Sequence, residues 1–283
     1  MLKSMTPARR DFYDREGYLC PLPCLSHDAA AQARESLTRF RAATGMSAGD
    51  IVFKGHLAFP WSYELAADPA ILDPVEDIAG PDILVFASKF WIKEAGDGGF
   101  VTWHQDSAYF GIEPVELVSV WVALTDSTRA NGCVRAIPGT HRGPTLRHVE
   151  RRDDRKNLLA RGQRIEDGID EARAVDFELS VGQFSMHDVR LVHGSLPNEG
   201  AGPRIGLAFF YIPTHVRSTI GRRTAHLVRG EDRYGHWDPD PAPRFEGDPL
   251  VLAHAMGAKK GYVAETLQQE ADGQGTSGRP HPG

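Results

Sequence analysis

The hydrophobic pattern changes period at Gly80-Pro81, and that switch constrains the chain more than any other feature. Before it, apolar residues recur at helical spacing. Ser26 caps a run in which Ala30, Ala33, Leu37 and Phe40 share a face, and Asp68-Pro69 opens another carrying Ile71, Leu72, Val75 and Ile78. Helix is expected over 12–45 and again from 68 until Gly80-Pro81 stops it. After the switch the period is two. Segments 83–93, 101–106, 117–124, 133–137, 183–187, 189–193 and 204–212 are rich in Val, Ile, Phe and Trp and are bounded by Gly, Pro, Asn and Asp. Short strands behind a helical N-terminal part predict a mainly β protein with flanking helices. The expected core is a double-stranded β-helix, a cupin-like jelly roll whose interior can hold a metal and a small ligand. One domain is expected over residues 1–267: a helical part to 80, the jelly roll over about 81–215, and a C-terminal lid with helices over 216–267. The charged stretch 147–173 reads as a surface excursion, and 268–283 as a disordered tail.

Charge excludes some partners. Against 38 acidic residues stand 32 Lys and Arg, leaving −6, so neither nucleic acid nor an acidic membrane is an expected partner. No run approaches the ~18 apolar residues of a membrane span, and the N-terminus lacks a signal-like apolar stretch. Three cysteines are an odd number in a chain too long to need disulfide staples, which predicts a reducing, cytoplasmic setting. Cys20 and Cys24 lack a second Cys/His pair nearby, so buried thiols are expected rather than a zinc site.

The sequence TWHQDSAYF carries the chemistry. Side chains two apart on a strand share a face, so His104 and Asp106 point into the barrel and Gln105 points away. An imidazole and a carboxylate completed by a distant histidine form the facial triad of non-haem Fe(II) oxygenases. His141, His187, His193 and His215 are the candidates for the third place. His193 fits best, because it follows an apolar segment and enters Gly194-Ser195 at the barrel mouth, while His187 is expected beside the metal rather than on it. Arg204 opens the strand RIGLAFFYI, where an inward guanidinium can hold the distal carboxylate of 2-oxoglutarate.

These segments resemble the phytanoyl-CoA dioxygenase (PhyH) family. The resemblance lies in WHQDSAYF, SVWVALTDSTRANGCVRAIPGTHR, HGSLPN and RIGLAFFYIP, from about residue 86 to 213. It implies a double-stranded β-helix with Fe(II) on His104, Asp106 and His193, and 2-oxoglutarate and O2 as cosubstrates, with Arg204 on the 2-oxoglutarate carboxylate. It also implies Gln105 and Trp121 at the cosubstrate, and Ser195 is a further hydrogen-bonding candidate. Gln105 conflicts with simple strand alternation. A halogenating branch of the family replaces the carboxylate ligand by a small residue; here Asp106 is present, so hydroxylation of a small metabolite leads, with desaturation or another oxidative outcome open. A cupin-type metal isomerase and a non-catalytic binding module are the readings from other classes.

The substrate is the least legible item. Trp103, Tyr109, Phe110 and Trp121 could form an apolar wall. Beyond the last core strand, Arg217, Arg222, Arg223 and Arg229 cluster in a chain of net negative charge, and Lys54 and His56 precede the second helix. Arg217, Arg223, Lys54 and His56 are therefore candidates for recognising a small anionic or zwitterionic substrate, although pairing of the arginines with nearby acids explains them equally well. The oligomeric state is left open.

Overall fold

A computed structural model describes residues 2–46 and 53–261. In chain order its strands are β1 Tyr18–Pro23, β2 Ile83–Lys93, β3 Val101–His104, β4 Ile112–Glu113, β5 Val118–Ala123, β6 Val134–Ala136, β7 His148–Val149, β8 Arg164–Ile165, β9 Val175–Phe177, β10 Gln183–Asp188, β11 His193–Ser195, β12 Arg204–Pro213, β13 Arg217–Ser218, β14 Thr224–Arg229 and β15 Asp238–Pro239. The helices are α1 Pro7–Glu16, α2 His27–Thr44, α3 Pro60–Leu65 and α4 Pro69–Ala79, with one more over residues 249–261.

Two sheets face each other. The larger has the order β1-β10-β5-β12-β2-β14-β15 and the smaller β3-β11-β6-β9. The apolar run of β12 is buried along its whole length because both of its faces are covered. Ile205, Leu207, Phe209 and Tyr211 meet the helices in a core shared with Leu37, Phe40, Leu65 and Leu72. Ala208, Phe210 and Ile212 look the other way, into a core shared with Phe86, Trp121 and Trp237. Each buried aromatic of this kind stabilises by about 1.5–3 kcal/mol. The inner face carries the pocket described below; the outer face carries the helices.

Four expectations needed correction. The helical reading of 12–45 is broken: α1 ends on Gly17, whose φ of 85 is a left-handed cap, and β1 then pairs with β10. Prolines hid this strand, and they are tolerated because β1 is an edge of its sheet. Residues 189–191 form a turn instead of a strand, closed by Asp188, whose side chain accepts from the Arg190 N–H at 2.8 Å. His193 thus begins β11 in the smaller sheet rather than ending a strand. Residues after 215 are not only a lid, since β14 lies beside β2 in the larger sheet and helix covers just 249–261. Finally, the stretch 147–173 folds onto the smaller sheet: β7 and β8 pair, Leu159 and Ile165 are buried, and Thr102 donates to the Gln163 carbonyl at 2.5 Å. Residues 262–267 of the expected lid, and the tail, lie outside the described residues.

Candidate metal centre and cosubstrate pocket

Strand pairing brings the proposed ligands together. His193 on β11 is the direct register partner of His104 on β3, with ring centroids 4.1 Å apart. Asp106 follows β3 in a one-turn 3-10 segment, which swings its carboxylate back so that Oδ1 lies 3.4 Å from His104 Nε2. One ligand atom from each of the three residues lies within 4.8 Å of the others. Among the described residues this is the sole set of three such side chains so placed.

Each histidine is oriented by the main chain just before it. His104 Nδ1 meets the Thr102 carbonyl and His193 Nδ1 the Leu191 carbonyl, both at 2.9 Å. A carbonyl only accepts, so Nδ1 carries the hydrogen and Nε2 is left bare, the tautomer that binds a metal. Burial keeps His193 neutral. A carboxylate between bare imidazole nitrogens suits a divalent iron and leaves other coordination positions open.

His187 stands apart from this set. It lines the same pocket with its ring 4.6 Å from that of His193, and burial lowers its pKa to about 4. Neither of its nitrogens has a hydrogen-bond partner, so it lacks the carbonyl that orients the other two.

The far end of the pocket is cationic. Arg204 is buried, its guanidinium lies 5.0 Å from the Trp121 ring centroid, and its Nε has no hydrogen-bond partner. Directly across the β12–β2 pair stands Lys93, also buried, which donates to Ser195 Oγ at 2.7 Å and to the carbonyls of Leu196 and Gly132. Burial, with Arg204 adding, pulls Lys93 down to about 7, and burial takes Arg204 to about 10. Among the described residues neither forms an ion pair with a carboxylate. Two adjacent buried cations without a counterion cost several kcal/mol unless an anion joins them. Lys93 was missed in the sequence; the signal was that Lys89, Trp91 and Lys93 share one face of β2.

Other candidates fall elsewhere. Trp121 and Ser195 line the metal pocket with Arg204. Gln105 does not: its amide donates to the Arg190 carbonyl and accepts from the Leu146 N–H, each at 2.7 Å, so alternation prevails over the expected cosubstrate contact. Phe110 packs edge-on against Phe86 and against Phe210, which lines the pocket. Tyr109 lies edge-on to His148, while Trp103 turns away to pack with Ile137 and Val192. Lys54 and His56 are also corrected. Both are buried on the outer face of the larger sheet, where Lys54 Nζ pairs with Asp240 at 2.6 Å and His56 Nδ1 meets Ser88 Oγ at 2.7 Å. Arg217 is a surface residue paired with Glu113, and Arg222 and Arg229 pair with Asp238 and Glu76. Arg223 alone of that cluster points inward, donating to the Phe110 carbonyl at 2.7 Å, with its guanidinium 4.9 Å from the Phe86 ring centroid and 5.1 Å from that of Trp237. His141 and His215 contact Asp14 and Glu116, far from the metal set. The three cysteines are free, and burial raises each thiol to about 12.

A double-stranded β-helix presenting His-x-Asp and a distant histidine at the pocket defines the cupin-like class of non-haem oxygenases. Residues 13–206 match the profile of the phytanoyl-CoA dioxygenase (PhyH) family, and the chain belongs to that family. A solved non-haem monooxygenase, ThoJ, is 34% identical, with a TM-score of 0.81 over 93% of this chain and 98% of its own. CytC3, solved with Fe(II) and α-ketoglutarate, shares the fold at 22% identity and a TM-score of 0.65, covering 88% of this chain and 98% of its own. A probable phytanoyl-CoA dioxygenase of Caenorhabditis elegans is 29% identical over 160 residues, 54% of this chain and 51% of the relative. The chain thus spans about half, or less, of the length of the curated relatives it matches.

Proposed function

We propose that the protein is an Fe(II)- and 2-oxoglutarate-dependent dioxygenase that hydroxylates a small anionic or zwitterionic metabolite in the cytoplasm. One observation carries the reading: buried Arg204, which forms no ion pair with a carboxylate among the described residues, lines one pocket with Ser195, His104, Asp106 and His193, and its strand partner, the buried Lys93, donates to Ser195 Oγ. 2-Oxoglutarate is a dianion, and one of its carboxylates would supply the counterion that Arg204 lacks.

Bound iron would couple oxidative decarboxylation of 2-oxoglutarate by O2 to oxygen insertion into a substrate C–H bond, giving succinate, CO2 and an alcohol. The residues then have distinct roles. His104, Asp106 and His193 hold the metal; Arg204 and Lys93 hold the distal carboxylate, with Ser195 beside them; and Trp121 supports the guanidinium. Phe210, with Phe86 and Phe110 packed against it, would give the pocket an apolar wall that limits stray water. Asp106 fills the position that a halide would need, which favours hydroxylation over chlorination. A cupin-type isomerase or a binding module gives no use to the two buried cations. Three free thiols support a reducing compartment.

The test is anaerobic addition of Fe(II) and 2-oxoglutarate, watched by visible absorption, followed by O2 and a substrate panel scored by succinate. A charge-transfer band that needs both additions, then substrate-stimulated succinate, is expected. Metal binding without any 2-oxoglutarate-dependent band would defeat the reading.

A further inference from the structure

We infer that Lys89 anchors the substrate through an anionic oxygen group, on the side of the metal away from Arg204. The inference rests on the oxygenase reading and deepens it by naming the group that is recognised. It starts from β2, whose inward positions are Lys89, Trp91 and Lys93, opposite Ala208, Gly206 and Arg204 on β12. Trp91, Ala208 and Arg204 all line the metal pocket. At about 3.3 Å per residue, Lys89 starts ~13 Å along the strand from Lys93, too far to share one carboxylate comfortably with Arg204.

Lys89 as a residue is half-buried. Its ammonium sits 3.4 Å from the Trp91 ring centroid and donates to the Leu158 carbonyl at 3.2 Å. Among the described residues it forms no ion pair. Burial lowers it to about 7; Asp106 opposes that shift, and Lys259, in the 249–261 helix, adds to it. Lys89 thus stands opposite the pocket-lining Ala208 at one end of the β12–β2 pair, and Lys93 stands opposite Arg204 at the other. An ammonium held by an aromatic face and one carbonyl has a donor to spare. A substrate lying between Lys89 and the metal would fill it with a carboxylate or phosphonate oxygen. Of the cations first expected in this role, Arg217 pairs with Glu113, Lys54 with Asp240, and Arg223 donates to the Phe110 carbonyl.

The experiment uses the anaerobic Fe(II)·2-oxoglutarate enzyme, titrated with a panel of α-amino acids and alkylphosphonates, each beside its neutral amide or ester. Perturbation of the visible band and succinate formation are the readouts. Acids should act and their neutral counterparts should not, and the two halves of the panel separate carboxylate from phosphonate. Lys89→Gln should raise the half-saturating concentration of the acid at least about tenfold while limiting turnover changes less than about threefold, and Lys89→Arg should recover most of the loss. Affinity for 2-oxoglutarate should not change in either variant. Equal acid affinity in Lys89→Gln, a response to neutral compounds only, no response to any acid, or loss of 2-oxoglutarate binding would each overturn the assignment. Absence of the band in the wild type would defeat the oxygenase reading instead; Lys89-dependent thermal stabilisation by the acids would still be expected of the metal-free protein.

Discussion

Gly206 and Trp121 occupy each other's space: a Cβ added at Gly206 would stand 1.9 Å from Trp121 Cζ2. The indole lies over bare backbone of β12, and the Arg204 guanidinium lies over the indole. A missing side chain at one position thereby sets the height of the cation two residues away.

Gly206→Ala should accordingly push Trp121 off its seat. We expect a loss of about 1–3 kcal/mol in denaturant unfolding, the usual cost of overpacking. Affinity for 2-oxoglutarate should fall as well, with Fe(II) affinity little changed. Combining it with Trp121→Phe should restore stability more than cosubstrate binding. Unaltered stability in the single variant would show that the indole moves freely.

The two histidines of β11 and β10 should part company under substitution. His193→Ala is expected to lose Fe(II), read as bound metal per chain, and all turnover with it. His187→Ala should retain stoichiometric iron, because no carbonyl fixes its tautomer for a metal. Iron lost from His187→Ala but kept by His193→Ala would reverse the assignment.

Cosubstrate affinity should depend on both buried cations. Truncating one partner of a buried charge pair typically costs about 2–5 kcal/mol, so calorimetric titration of Arg204→Ala with 2-oxoglutarate should show a loss of that order. Lys93→Met should weaken binding less. Arg204→Lys should not restore it, since an ammonium cannot reproduce the two-pronged contact. Wild-type affinity in both Arg204→Ala and Lys93→Met would place the carboxylate elsewhere.

The outer-face cluster gives a pH signature unrelated to catalysis. His226 is buried, stacks on Tyr63 with ring centroids 3.8 Å apart, and has its pKa lowered from 6.5 to about 4, chiefly by burial. The unfolded chain therefore takes up a proton that the folded chain refuses. Stability should fall as pH drops from 6.5 toward 4, by up to ~3 kcal/mol, and be insensitive to this group above that window. His226→Phe keeps the stack and should flatten the slope; an unchanged slope would exclude His226 as its source. In the same cluster, Lys54→Met should cost about 3 kcal/mol at pH 7 by leaving the buried Asp240 with His254 as its remaining partner, and Asp240→Leu in that background should recover much of it.

Much of the site was legible because β alternation is local. His104 and Arg204 could be placed by strand alternation, whereas Trp121 came to the cosubstrate site only through the family resemblance, and Asp106 faces the site through the 3-10 turn after β3 rather than along the strand. His193 was chosen as the third ligand because it was expected to end an apolar strand; it does lie beside His104, but the run before it is a turn. Turns made by side chains such as Asp188 leave no periodic trace. Lys54 and His56 misled because a charge in an apolar context looks like a binding group until its partner is known, and Asp240 lies far along the chain. β14 escaped notice since its sequence, TAHLVR, alternates only weakly and owes its strand form to pairing with β2.

The carbonyls that orient His104 and His193 both come from the residue two places earlier in the chain. Main-chain oxygens cannot be removed by exchanging one side chain for another, so Thr102 and Leu191 can drift in identity while the imidazoles keep their bearing. A one-residue insertion or deletion between each histidine and its carbonyl is a different matter. The tolerance of this centre is thus lopsided: broad toward substitution, narrow toward changes of length.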